Sequence, residues 1–306
     1  MSARPARWKI LTAFVAVYLI WGSTYLAIHW ALESIPILLL GGTRFLLAGG
    51  AMVAWAVLRG DARVSRRQLF TAILTGSMML FVSNTCVVWS VARAPSGLVA
   101  LVVGSVPLWI TIFSGLGAGP RPTPATWLGV VIGMLGLALL VGPGAVKGGH
   151  GVDPLAALVL TVGCISWAGA SVLSRKLESA PSPVMATGLQ MLSGGVLVTL
   201  VALAAGEGAR FHLANLTWRA GLSQLYLVTF GSIIGFTAYV WLLRVVSPTL
   251  AGTYAFVNPV VAVLLGLLFN GESLSGRTML AGALIVVAVV IITFGPRPAP
   301  RVGEPR

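Results

Sequence analysis

Residues 36–58 read PILLLGGTRFLLAGGAMVAWAVL, an apolar run opened by a proline and carrying a single formal charge, Arg44. A helix of about 20 such residues crosses the hydrocarbon of a bilayer and keeps its backbone groups paired there. Runs of the same kind recur along the chain. Approximate helices are expected at Ile10 to Leu32, Ile37 to Leu58, Leu69 to Val91, Ser96 to Leu116 and Thr126 to Val141, then at Pro154 to Ser174, Val184 to Ala205, Gly221 to Leu243, Thr249 to Phe269 and Thr278 to Phe294. Pro36, Pro95, Pro124, Pro154, Pro183 and Pro248 fall between these runs or in their first turns, where a missing amide and a fixed φ are tolerated.

Composition agrees with that reading. The 306 residues are 57% hydrophobic and only 9% charged, whereas about a quarter of a soluble domain is charged. The net charge of +13 would suit a nucleic-acid binder, but the basic residues lie between apolar runs and form no amphipathic face, so no nucleic-acid partner is expected. Cys86 and Cys164 both sit inside apolar runs, which points to neither a disulfide framework nor a CxxC redox site. The run from Ile10 lacks a suitable small-residue cleavage site and is expected to be the first transmembrane helix, not a removable leader.

Cytoplasmic connections are enriched in Lys and Arg. With both termini cytoplasmic, the ten spans place 14 basic residues inside and 5 outside, with Arg44 left within a span. Five helices per half is an odd number, so consecutive copies enter the membrane in opposite directions. A shift of 146 aligns Trp21 with Trp167 and Arg44 with Gln190, and a shift of about 152 aligns Trp89 with Trp241 and Pro107 with Pro259. The expected fold class is therefore an all-α integral membrane protein, with ten transmembrane helices arranged as two inverted-topology five-helix repeats. The first covers residues 8–143 and the second 152–295. Weak symmetry of this kind marks many secondary transporters, whose substrate site lies at the repeat interface.

The polar residues inside spans are the candidate site. Arg44 lies about eight residues into its helix, roughly 12 Å deep at 1.5 Å per residue, and a guanidinium cannot shed its proton to escape lipid. It either attracts a substrate carboxylate or bonds helix-end carbonyls. Asn84 and Thr85 share the third span with Ser77, and Ser77 and Asn84, seven apart, fall on one helical face. Tyr254 and Asn258 are four apart in the ninth span, where Asn258 precedes Pro259. Trp21, Tyr25 and His29 form a stripe on the first helix, while Ser166, Trp167 and Ser171 lie on the sixth and Tyr239 and Trp241 on two faces of the eighth. Aromatic groups of this kind can shape a pocket or simply pack. The glycines Gly129, Gly133 and Gly136 point to close helix packing.

No Asp or Glu falls in an expected hydrocarbon core, which removes the usual carboxylate of a proton relay, and His29 is the one histidine in a span able to titrate near neutrality. His29, His150 and His212 show no metal-ligand spacing. No metal, cofactor or catalytic residue is expected, and a membrane-embedded enzyme or a non-transporting receptor is the alternative class. A channel would need a filter signature that the chain lacks.

Several motifs resemble those of the EamA family of the drug/metabolite transporter superfamily. Trp21-Gly22-Ser23-Thr24-Tyr25 is similar to its early W-G-(S/T)-x-(F/Y) pattern, and Pro36 followed by Thr43-Arg44-Phe45 to its P-x(6 or 7)-R-F signature. Pro107 and Asn258-Pro259-Val260 resemble the prolines of helices four and nine, and Gly271-Glu272 with Leu274 and Gly282 the junction before helix ten. The resemblance implies an inverted five-plus-five bundle, a central cavity built mainly by helices other than five and ten, and export or exchange of small metabolites. YddG-type exporters of aromatic and other amino acids are the specific group it suggests. The chain departs from symmetry at Arg44, whose second-half counterpart is Gln190, and at Glu272, whose counterpart is near Pro120.

The expected function is export of small metabolites, amino acids including aromatic ones, by alternating access in the bacterial inner membrane, with a broader drug or cation range as the alternative. Arg44 is expected to meet the solute carboxylate. Asn84 and Asn258 would offer hydrogen bonds, Trp21, Tyr25, Trp167, Tyr239 and Tyr254 would wall the pocket, and Pro107 and Pro259 would bend during gating. The expected partners are a small-molecule metabolite and membrane lipid, and a monomer is one admissible assembly.

Overall fold

The computed structural model describes residues 6–91, 102–116, 122–141, 154–261 and 276–296, and every regular element among them is helical. α1 is Arg7–Ala31 and α2 is Ile37–Leu58. α3 runs through Arg66–Gly76, Ser77–Ser83 and Asn84–Val91, followed by α4 at Val106–Leu116 and α5 at Pro124–Val141. α6 is Pro154–Lys176 and α7 is Pro183–Ala204. α8 runs through Trp218–Tyr226, Leu227–Phe236 and Thr237–Val245. α9 is the turn Pro248–Ala251 continuing into helical residues 254–261, and α10 is Gly276–Phe294.

Among the described residues six helices, of 22 to 28 residues, are long and apolar enough to cross a membrane, and three shorter apolar helices accompany them. The chain is thus an all-α, multi-pass membrane protein. Residues 96–101 of the expected fourth span and 262–269 of the ninth lie outside the described residues.

The middle segments of α3 and α8, Ser77–Ser83 and Leu227–Phe236, are π-helical. Their i→i+5 bonds make wider turns than the α-helix, and such insertions concentrate at functional sites. They also change the face argument for Ser77 and Asn84. The residues between them wind as π turns, so seven positions are not two α turns, and the shared face that α periodicity predicts does not follow.

α2 packs on α7, α5 on α10, α4 on α6 and α9, α1 on α8, and α3 on α6 and α7. The α2–α7 crossing is built on glycine. A Cβ on Gly42 would lie 2.3 Å from Thr199 Oγ1, and one on Gly49 only 2.7 Å from the Leu192 amide nitrogen. In return, a Cβ on Gly195 would lie 2.8 Å from the Leu46 nitrogen and one on Gly188 3.0 Å from the Val53 nitrogen. Lipid supplies no hydrophobic drive between helices, so close backbone approach through small residues supplies dispersion contact instead. The α5 glycines do the same against α9 and α10: a Cβ would lie 2.6 Å from Ile292 at Gly129, 2.8 Å from the Phe256 ring at Gly133 and 3.0 Å from Ile285 at Gly136.

Hydrogen bonds sort the two ends of the bundle. At one end Gln68 Nε2 donates to Glu178, Arg244 donates to Ser179 and the Ala180 carbonyl, and Arg175 donates to the Val246 carbonyl. At the other, Glu33 pairs with Arg219 at 3.6 Å, and the Glu207 carboxylate accepts from the Leu38 and Leu39 amides at 2.9 Å each. Those amides are orphan donors of the α2 N-terminus, so a residue far along the chain caps a first-half helix. Glu207→Ala is expected to lower the stability of detergent-purified protein by about 1–2 kcal/mol. The readout is thermal unfolding, and an unchanged midpoint would mean that water replaces the cap at no cost.

Candidate functional site

Four of the expected site aromatics converge from four helices. The Trp21 ring of α1 has its centroid 5.7 Å from Trp167 of α6, 5.2 Å from Tyr239 of α8 and 4.7 Å from Tyr254 of α9. Trp167 lies 5.5 Å from Tyr239 and 6.4 Å from Tyr254, and the two tyrosines are 5.4 Å apart. Edge-to-face and tilted geometries dominate, as ring quadrupoles favour. Phe236 joins from α8 at 6.2 Å from Trp167.

Each polar tip of the central three rings has a partner. Trp21 Nε1 donates to the Gly231 carbonyl at 3.0 Å, and Trp167 Nε1 donates to the Tyr239 hydroxyl at 3.1 Å. That hydroxyl also bonds Ser171 at 2.7 Å, and Tyr239 is fully buried. The satisfied tips hold the ring geometry, because leaving any of them unmade in a buried site costs more than the bond contributes.

Arg44 meets the same stretch of α8. Its Nε donates to Ser232 Oγ at 2.6 Å, one residue beyond the Trp21 acceptor, and its guanidinium carbon lies 5.3 Å from the Phe45 ring centroid. Gly231 makes room for it, since a Cβ there would stand 2.8 Å from Arg44 Nη2. Among the described residues no carboxylate lies within salt-bridge distance of Arg44. Both the Trp21 and the Arg44 partners fall in the π segment of α8.

Gln190, which the shift of 146 aligns with Arg44, makes a similar bond. Gln190 of α7 donates through Nε2 to Thr75 Oγ1 of α3 at 2.8 Å, while its Oε1 is buried with no partner among the described residues. Asn258 of α9 is 3% exposed, and its Oδ1 likewise has no partner among the described residues. Its backbone carbonyl would lie 3.4 Å from a Cβ on Gly22, so it sits beside the Trp21 turn of α1. Asn84 lies instead against α2, its Nδ2 3.1 Å from where a Cβ on Gly41 would be. Pro107 is buried in α4, its carbonyl accepting from Thr111, whose hydroxyl oxygen lies 3.3 Å from that of Thr249 in α9. The backbones of Tyr25 and His29 belong to α1, and their side chains lie outside the described residues. Pro259 falls within helical residues 254–261.

Sequence reasoning missed Ser232, Phe236 and the Gln190–Thr75 pair. A Gly-Ser step inside the eighth apolar run was the available signal for Ser232. Phe236 is one of eleven phenylalanines and carried none.

Two cavities flank this layer. One of about 1010 Å³ lies between α1, α2, α7 and α8, reaching Lys9, Ala13, Met52, Trp55, Ile233 and Trp241. The other, about 380 Å³, lies between α1 and α8 and reaches Ser23, Trp30, Arg219 and Tyr226. Along α8 the order is second cavity, then Gly231 and Ser232, then first cavity, so the Trp21 and Arg44 bonds stand between the two. Ser23 adds a 2.6 Å bond to the Tyr226 hydroxyl.

A family model described as the EamA-like transporter family matches residues 7–142 and again 154–294. The inner membrane transporter YedA of Escherichia coli strain K12, uncharacterized by its own description, is 42% identical over 285 residues, covering 92% of this chain and 90% of the relative. The aromatic amino acid exporter YddG of Ancylobacter novellus is 27% identical over 290 residues, covering 93% and 96%. The particular kinship with YddG that the motifs suggest is thus exceeded by that with YedA, because the shared motifs are those of the whole family. A solved crystal structure of 24% identity superposes with a TM-score of 0.79 over 95% of this chain and 98% of that one, which shows the fold.

Proposed function

The chain belongs to the EamA-like transporter family, and on that premise we propose that it exports small zwitterionic metabolites, amino acids with aromatic ones among them, by alternating access. Family membership makes it a transporter of small organic solutes and not an enzyme. The observation that carries the substrate reading is the placement of Arg44. It is a cation without a carboxylate partner among the described residues, joined through Gly231 and Ser232 to a box of four aromatic rings. A solute carboxylate would engage the guanidinium, its ammonium the open Oδ1 of Asn258, and its side chain the Trp21, Trp167, Tyr239 and Tyr254 rings. Asn84 would steady α2 behind Arg44, and Pro107 and Pro259 would absorb bending in α4 and α9.

The repeat reading draws support from several directions. Counting the second half from α6, the pairs α2–α7, α5–α10 and α4–α9 each map onto themselves, and α1–α8 maps onto α3–α6. The π segments fall in the corresponding helices α3 and α8. Arg44 bonds from α2 to α8 as Gln190 bonds from α7 to α3. The family model also matches the two halves separately. The excess of basic residues at the Arg175 and Arg244 end favours that end as cytoplasmic, and the description of YedA favours a bacterial inner membrane.

A panel of radiolabelled amino acids and amphipathic cations in proteoliposomes, with and without a pH gradient, tests this reading. Saturable counterflow of aromatic amino acids with trans-stimulation is expected. Transport of the cations alone would overturn the substrate assignment.

A further inference from the structure

The larger cavity has features that the transport reading does not use. The cavity opens between the Trp8 end of α1 and the Trp55 end of α2, and the face of α8 from Ile233 to Trp241 forms the floor between them. The walls are apolar and open outward: Trp8 is 64% exposed, Trp55 53% and Ile234 44%. Ala13, Ala16, Ala51 and Ala238 keep the space wide, and about 1010 Å³ is left unfilled.

The rim is cationic. Lys9 lines the cavity with its ammonium 5.6 Å from the Trp8 ring centroid, and the Arg59 guanidinium lies 4.7 Å from that of Trp55. Among the described residues neither cation has a carboxylate within salt-bridge distance. Tryptophans mark the headgroup level of a bilayer, so this rim sits where lipid phosphates lie and the alanine-lined space extends toward the acyl chains.

We propose that this wedge is a binding site for one anionic glycerophospholipid, its chains against Ala13, Met52, Ile233 and Ala238 and its phosphate between Lys9 and Arg59. Charge complementarity selects this occupant. A second copy docked here through a two-fold axis would bring the same unpaired cations toward each other, and a zwitterionic lipid would bring its own headgroup cation to the same rim and leave it net positive. The site does not depend on the identity of the transported solute.

The test is native mass spectrometry and thermal unfolding of the full chain in mixed micelles of detergent with dioleoyl phosphatidylglycerol or dioleoyl phosphatidylcholine. Phosphatidylglycerol is expected to remain bound and to raise the unfolding midpoint with concentration, and phosphatidylcholine to do neither. Each surface cation contributes roughly fivefold to binding an anionic lipid, so Lys9→Gln with Arg59→Gln should weaken phosphatidylglycerol binding about twenty-fivefold. Arg63→Gln with Arg66→Gln, which removes two cations that, unlike Lys9, do not line the cavity and, unlike Arg59, do not stack on its Trp55 wall, should leave it within about twofold of the unsubstituted chain. Ala238→Trp, which fills the floor and keeps the charges, should remove the retained lipid. Equal response to both lipids, an equal loss in the two charge variants, or retention in Ala238→Trp would each overturn the proposal.

Discussion

Replacing Arg44 with glutamine is expected to erase the preference for a free carboxylate over its amide, lowering transport of the acid by about 10- to 100-fold while the amide changes little. The magnitude follows from charge-assisted hydrogen bonds of about 1.5–3 kcal/mol, acting where the surrounding dielectric is low. Glutamine still reaches Ser232 with an amide, as Gln190 reaches Thr75 in the other half, so the α2–α8 contact survives and the charge alone is removed. Arg44→Lys should fall between the two, keeping the charge but losing the planar fork that pairs Ser232 and a carboxylate together. Counterflow of a labelled amino acid and its amide in proteoliposomes reads the ratio. A folded Arg44→Gln protein with an unaltered acid-to-amide ratio would sink the charge role.

Gly49→Val is expected to prevent recovery of folded protein or to destabilise it by about 3 kcal/mol, the upper part of the overpacking range. The first added atom already meets the Leu192 nitrogen at 2.7 Å, the Gly188 carbonyl oxygen at 2.8 Å and the Met191 Cβ at 2.9 Å. Two of these are backbone atoms of a packed helix and cannot rotate aside, so α2 and α7 would have to separate along the glycine seam. The next residue supplies the control: a Cβ on Gly50 meets nothing within 4 Å. Gly50→Ala should be neutral or stabilise by up to about 1 kcal/mol through helix propensity. Size-exclusion yield and thermal unfolding of both variants decide the matter, and equal behaviour would refute the seam as the critical contact.

The helices were readable because lipid imposes one rule on every span, and prolines mark where the rule relaxes. The sequence groups Trp21, Tyr25, Trp167, Tyr239 and Tyr254 as candidate pocket residues, but it gives neither the ring contacts nor the bond partners of the four whose side chains are described. Arg44 and Ser232 are 188 positions apart, Glu207 and Leu39 168, and Gln190 and Thr75 115. No local pattern encodes pairings at such separations. The π segments escaped notice for another reason: Ser77–Ser83 and Leu227–Phe236 are apolar runs, and hydropathy does not distinguish i→i+4 from i→i+5 bonding.

The amino-acid order by itself determined that the chain is a helical membrane bundle, where its described helices lie to within a turn, and that Arg44 has no acidic neighbour within its own span. Those properties follow from transfer of single segments into lipid, which depends only on the residues of each segment. The tertiary structure decided that Arg44 and Trp21 close on adjacent residues of one π turn, that α2 and α7 touch backbone to backbone, and that a basic-rimmed cavity opens between α1 and α2. Each of these depends on helix crossing angles and turn width, which arise only when segments distant in the chain compete for the same space.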